Sequence, residues 1–201
     1  MQIRPLDIAG AYELTPQLWS DDRGVFMEWY RYDVLMEQFG VGIGLRQANT
    51  SVSRRGVLRG VHYADVPPGQ AKHVTCTRGA ALDIIVDIRV GSPTFGRWDA
   101  VLLDTVDRRA VYLAEGLGHA FLALEDDTTV SYLVSSTFDP AREHGISPLD
   151  PALGLELPIA ADELVVSQKD LDAPSLEAAA AAGALPTWEA TRSYAGKAWR
   201  D

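Results

Sequence analysis

The densest concentration of reactive side chains lies in residues 55–74, RGVLRGVHYADVPPGQAKHV, where two arginines, two histidines and a lysine surround a Pro-Pro-Gly turn. His62, Arg59 and Lys72 from this stretch, together with Tyr132 and a late carboxylate, form a set suited to moving a proton beside a ketone. Such a reaction needs a base, a group that holds charge on the carbonyl oxygen and, if configuration inverts, an acid on the opposite face. His62 can be the base, Lys72 the oxyanion partner and Tyr132 the acid. A histidine base works best when a carboxylate holds one ring nitrogen, and Asp170, in VVSQKDLDAP, is the candidate holder. Plainer roles exist for two of these: Tyr132 as a core aromatic, Asp170 as a helix cap.

The four histidines, at 62, 73, 119 and 144, also invite a metal reading. A metal site in a β-barrel of this size needs His-x-His and a glutamate on one strand pair and a further histidine on another. EGLGHAF supplies the later element, its glycines allowing a tight turn that aims His119 inward. The first element is missing, because His62 is followed by Tyr63 and Ala64, and His73 follows Lys72, a poor neighbour for a cation. The sequence therefore favours no metal.

These residues sit on a β-rich frame. Residues 45–135 hold short runs of β-branched and aromatic residues separated by Gly, Pro or Asp, among them GVLRGVHY, KHVTCTRG, ALDIIVDIRVGSP, RWDAVLLD and TTVSYLVSS. That spacing predicts an all-β antiparallel sandwich or barrel rather than alternating β and α units. In ALDIIVDIRV the alternation puts Asp83 and Asp87 on one strand face; if that face lines the interior Asp83 needs a partner, and otherwise it is solvated. Helices are few and peripheral: YDVLMEQFG, with Asp33 as cap and Gly40 as stop, and LDAPSLEAAAAAGALP, with Pro174 in its first turn and Gly183 as stop. The chain reads as one domain over residues 1–185 and a weakly specified tail over 186–201.

Charge and cysteine usage narrow the function. Eighteen Lys and Arg against 28 Asp and Glu give a formal charge of −10, which disfavours nucleic acid and anionic membrane as partners. A small anion could still bind where arginines are focused into a cleft. The one cysteine, Cys76 in Val-Thr-Cys-Thr, is expected in a buried strand and fits a reducing, cytoplasmic setting. No apolar run of membrane-spanning length occurs.

DDRGVF, QANTSVS, GVLRGVHY, VDIRVGSPTFGRW, AVYLAEGLGHAF, DPALGLE and VSQKD together resemble the dTDP-4-dehydrorhamnose 3,5-epimerase family over residues 14–174, and most of all its branch in actinomycete antibiotic deoxysugar pathways. The resemblance implies a metal-free cupin jelly roll and a homodimer with exchanged strands. It implies a cofactor-free epimerisation at C3, C5 or both of a dTDP-4-keto-6-deoxyhexose. By matched motif His62 is the base, Asp170 its partner, Tyr132 the acid, Lys72 the group near the C4 oxygen, and His119 with Asp83 a second buried pair. Arg23, Gln47, Asn49, Arg59 and Lys169 would contact diphosphate or sugar, while Phe26, Phe138 and Glu28 would hold thymine, some of them from the neighbouring chain. The basic cluster at 55–74 would then exist to bind a diphosphate on a net-negative protein.

Ala71 and His73 flank the lysine where the broad family has glycine and an aliphatic residue, and Phe138 stands where tyrosine is common, so the reacting carbon stays open. Two other classes compete: a metal-dependent cupin using His62, His73 and His119, and a sugar-nucleotide-binding module without turnover. A hydride mechanism has no support, since no G-x-G-x-x-G opens a helix after a strand.

Overall fold

The computed structural model describes residues 1–40 and 42–195. One six-stranded sheet is built from β1 (Gln2–Pro5), β2 (Ala11–Thr15), β5 (Gln47–Ser53), β7 (Lys72–Arg78), β10 (Ala110–Leu113) and β12 (Thr128–Val134), in the order β1-β2-β10-β7-β12-β5. A second sheet runs β13-β6-β11-β8-β9, from β6 (Val57–Ala64), β8 (Ala80–Val86), β9 (Trp98–Asp104), β11 (Gly118–Ala123) and β13 (Glu143–Gly145). A two-residue strand, β14 (Val165–Val166), joins β6 in parallel. The two sheets face each other as a sandwich, and a separate hairpin, β3 (Leu18–Asp21) with β4 (Gly24–Met27), stands off them. The all-β expectation holds. Among the described residues no helix is long and apolar enough to cross a membrane.

Period-two alternation builds the interior. Val74 and Cys76 of β7, Val111 and Leu113 of β10, and Val130 of β12 meet Ala81 and Ile85 of β8, Val101 and Leu103 of β9, and Phe121 of β11 in one buried cluster. Cys76 is buried and free, as its strand position predicts. Asp83 and Asp87 both fall on the inside and both have partners. Asp83 meets His119, and Asp87 takes a two-bond contact from Arg89, at 2.8 Å each, plus the hydroxyls of Ser92 and Thr94.

The helices differ from expectation at their starts. In α1 (Tyr32–Phe39) the N-cap is Arg31, without a side-chain cap bond, and Asp33 lies within the first turn, tied to Arg31 at 2.8 Å. The carboxylate still sits at the positive end of the helix, where it is favourable. Gly40 ends the helix in the left-handed conformation, as predicted. After α2 (Gln168–Leu171) comes α3 (Leu176–Ala181), capped by Ser175, whose Oγ accepts from Ala178 N at 3.1 Å; Pro174 therefore precedes the cap rather than occupying the first turn. Gly183 lies beyond Ala182 with φ +68°.

The region read as a loose tail is tied down where it is described. Thr187 bridges to Val90, and α4 (Trp188–Ala195) begins with the Trp188 ring 4.5 Å from the Arg89 guanidinium carbon. Arg89 is itself pinned by Asp87, so a cation–π contact and a buried ion pair share one side chain. Residues 196–201 of that predicted tail lie outside the described residues.

Candidate active site

Between the sheets, beside the apolar cluster, lies a cavity of about 340 Å³ with walls from both sheets. β5 contributes Gln47, Asn49 and Ser51, every second residue of the strand, and β12 contributes Tyr132, directly across from Asn49. Lys72 opens β7 on the same wall. The opposite wall is β6 and β11, with Arg59, His62, His119 and Phe121.

Arg59 and His62 are three residues apart, so a regular strand would point them to opposite faces. They share the cavity because β6 bulges: His62 pairs with His119 and Arg59 with Phe121, three residues of β6 against two of β11. Gly60 makes this possible. It adopts φ +117°, and a Cβ there would lie 2.5 Å from the His119 carbonyl oxygen.

The His62 Nε2 lies 2.7 Å from Asp170 Oδ1. An ionised carboxylate only accepts, so Nε2–H donates and Nδ1 keeps a free lone pair. Asp170 returns to residue 62 by two short local devices. β14 runs alongside Val57 and Leu58, and Ser167 then caps α2 by accepting from Asp170 N at 3.2 Å while its hydroxyl donates to Asp170 Oδ2 at 2.9 Å. Burial alone would raise the Asp170 carboxyl, but the bonds from His62, Ser167 and the Gly60 backbone outweigh it and hold the group below the usual carboxylate range. Asp170 is thus both cap participant and histidine partner.

The second pair is present too, His119 Nε2 at 2.8 Å from Asp83 Oδ2, with Asp83 fully buried and His119 at the cavity surface. Lys72 is 7% exposed, and burial draws its ammonium down to about 8 against the opposing pull of Glu143. Tyr132 moves the other way: burial and then the Glu143 charge raise its phenol, with Arg59 acting against them, so it is protonated at neutral pH.

Sequence reasoning missed four of the lining residues: Ser51, Gln70, Phe121 and Glu143. Ser51 continues the alternation of Gln47 and Asn49 and was readable from it. Glu143 carries no local signal, since it arrives on a three-residue strand paired to β6.

Other predicted residues lie at the edge or away. Phe138 is at the cavity rim, its backbone N–H on Gln47 Oε1 at 3.0 Å. Lys169 and Asp170 line a neighbouring cleft of about 350 Å³ that shares Arg59 and His62 with the first. Arg23, Phe26 and Glu28 do not line the cavity of their own chain. Arg23 pairs with Asp21 and Glu28 with Arg31, while Phe26, 65% exposed, packs on Trp19 of the same hairpin.

The three histidines of the metal alternative do not converge. His73 points to the far side of β7, its Nε2 on the Trp29 carbonyl at 2.8 Å and its ring between Trp29 and Tyr30, and His144 pairs with Asp65. Among the described residues no group of three His, Cys, Asp or Glu is placed to hold a metal ion.

A family model described as dTDP-4-dehydrorhamnose 3,5-epimerase matches residues 5–178. The chain belongs to the dTDP-4-dehydrorhamnose 3,5-epimerase family. Within this family it is 58% identical to the dTDP-4-dehydrorhamnose 3,5-epimerase of Mycolicibacterium smegmatis, over 96% of this chain and 95% of that one. The Mycobacterium tuberculosis rmlC epimerase superposes with a TM-score of 0.95 at 50% identity, covering 98% of this chain and 99% of the other. ChmJ, a 3'-monoepimerase from Streptomyces bikiniensis solved in complex with dTDP-quinovose, gives a TM-score of 0.93 at 48% identity and 96% coverage of both chains. Members of the dTDP-4-dehydrorhamnose 3,5-epimerase family are isomerase-type sugar epimerases, and that is the reaction class of this chain.

Proposed function

We propose that this protein epimerises C3, C5 or both of a dTDP-4-keto-6-deoxyhexose in the cytoplasm, without a cofactor. The observation that carries this reading is a carboxylate-held histidine on one wall of the cavity and a half-buried, protonated tyrosine on the other. A hexose ring between them would offer one face to His62 and the opposite face to Tyr132.

The C4 ketone acidifies the hydrogens on the neighbouring carbons. His62 Nδ1 takes the proton, the electron pair moves into the carbonyl, and the enolate oxygen is held by the Lys72 ammonium in a poorly solvated site, where such a contact is strong. The Tyr132 hydroxyl then protonates the carbon from the other face, and the two groups exchange their protons with solvent. Asp170 stabilises the imidazolium. Arg59 and Lys169, at the junction with the second cleft, are suited to the diphosphate, since a planar guanidinium matches phosphate oxygens. His119 and Asp83 support the wall beside the ring.

Arg23, Phe26 and Glu28 take part through a homodimer. The hairpin that carries Arg23 and Phe26, with Glu28 just beyond it, projects Trp19, Val25 and Phe26 into solvent and away from its own cavity, a pattern that suits insertion beside a partner's site. Proton NMR of dTDP-4-keto-6-deoxyglucose in deuterium oxide tests the reaction. Loss of the C3 signal, the C5 signal or both with enzyme supports the reading and names the carbon; bound substrate with neither signal lost would replace it with a binding role.

A further inference from the structure

Lys72 and Glu143 face the same cavity with opposite charge, yet no ion pair within 4 Å joins the ammonium to the carboxylate. Gln70 stands between them. Its Oε1 accepts from Lys72 Nζ, and its Nε2 donates to Glu143 Oε1 at 3.1 Å and to Ser136 Oγ at 3.2 Å. The orientation of a side-chain amide is usually a choice, but here the charges fix it: the carbonyl end can only meet the ammonium and the NH₂ end can only meet the carboxylate.

The amide also joins the two walls. Residues 70–71 are fixed to the end of β12, with Ala71 N donating to Ser135 Oγ at 2.8 Å and Ser135 N to the Ala71 carbonyl at 3.1 Å. Glu143 belongs to β13, which pairs with the strand that carries His62.

Remove this spacer and a lysine and a glutamate in a largely buried pocket would close on each other, because opposite charges attract strongly where water is scarce. An ammonium neutralised that way is a poor partner for an enolate oxygen, whereas one bonded only to a neutral amide keeps its charge and two further N–H donors for that oxygen. We propose that Gln70 is a positioning residue that holds the Lys72 ammonium and the Glu143 carboxylate apart, keeping Lys72 available to the substrate's carbonyl oxygen. This deepens the proposed reaction and rests on it.

The test compares Gln70→Leu, Glu143→Gln and the double variant, following deuterium entry and inversion of dTDP-4-keto-6-deoxyglucose. Gln70→Leu should lower kcat by about 10- to 100-fold, less than the roughly 10²- to 10³-fold cost of removing an oxyanion donor outright, with KM changed much less. The double variant, which has no carboxylate to capture Lys72, should recover about tenfold in kcat over Gln70→Leu alone. A residue that merely packs would give losses that multiply, so a double variant slower than Gln70→Leu overturns the inference. Gln70→Glu keeps the size and provides a second readout: its charge should move the alkaline limb of the pH profile to higher pH, and an unmoved limb counts against a role through Lys72. A wild-type protein that admits no deuterium overturns the reaction itself and this inference with it, whereas active wild type with Gln70→Leu unimpaired overturns the inference alone.

Discussion

The interior of the sandwich has two halves built by the same strands. β7 begins with Lys72 in the cavity and continues with Val74 and Cys76 in the apolar cluster; β8 carries Asp83 toward the cavity and Ile85 into the core. The apolar half is closed by packing of aliphatic side chains with Cys76 and Phe121. The other half holds four polar strand positions from β5 and β12 facing a charged wall, and it leaves a void of about 340 Å³. Period-two geometry is indifferent to which side chain it places inside, so a strand can supply packing and chemistry within two residues. The difference teaches that stability and reactivity are separable here along a single strand.

The sharpest break between the halves is expected at His62. His62→Ala should slow deuterium entry by about 10²- to 10⁴-fold, the usual contribution of a general base, while the fold persists with only a modest drop in thermal midpoint, because the ring is partly exposed and Asp170 keeps its bonds to Ser167. Tyr132→Phe in the same assay should let deuterium enter with little inversion, and equal loss of both would make Tyr132 a binding residue instead.

Ile85→Ala tests the opposite side. Ile85 is fully buried, so truncation should cost about 2–5 kcal/mol of stability, read by denaturant unfolding, while turnover per folded molecule stays near wild type. A large loss of turnover without loss of stability would erase the distinction between the halves.

His73 extends the comparison to pH. Its neutral ring is buried, and burial pulls its folded-state value down to about 4 from an ordinary 6.5, against the Trp29 hydrogen bond. The unfolded chain therefore takes up a proton that the folded chain refuses. Stability is full above about pH 6.5 and is lost as pH falls toward 4, by up to about 3 kcal/mol. His73→Leu should flatten that slope whatever it does to stability at neutral pH. In the cavity, Lys72 predicts a different limb: with its ammonium titrating near 8, kcat/KM should fall about tenfold per pH unit above that value. An alkaline limb that begins only near 10 would remove Lys72 from the oxyanion role.

Much of this architecture was legible, and the reasons are physical. Strands of 4–8 residues announce themselves by composition and turn residues, and the alternation of Gln47 with Asn49 places a polar wall. What was not legible depends on short or irregular pieces. Asp170 returns to His62 through a two-residue strand, and Glu143 enters on a three-residue one, lengths at which periodicity has no meaning. Regular alternation sends Arg59 and His62 to opposite faces, and only the bulge brings them together. The Asp33 and Pro174 assignments slipped because helix starts are set by which side chain reaches a free N–H, and Ser175 does so where Pro174 cannot. Arg23, Phe26 and Glu28 were placed by resemblance, and within one chain they stand apart from the cavity.

Gly60 touches no substrate in the proposed reaction, yet its Cβ would collide with the neighbouring strand in a backbone conformation that L-residues resist. In a saturation library over residues 56–63 this position should therefore be as intolerant as His62, but for a different reason, with variants lost from the soluble fraction rather than from the activity screen. Anyone ranking engineering targets by mutational tolerance would place the two side by side and would need an expression readout to learn that one does chemistry and the other merely lets the strand turn its hand.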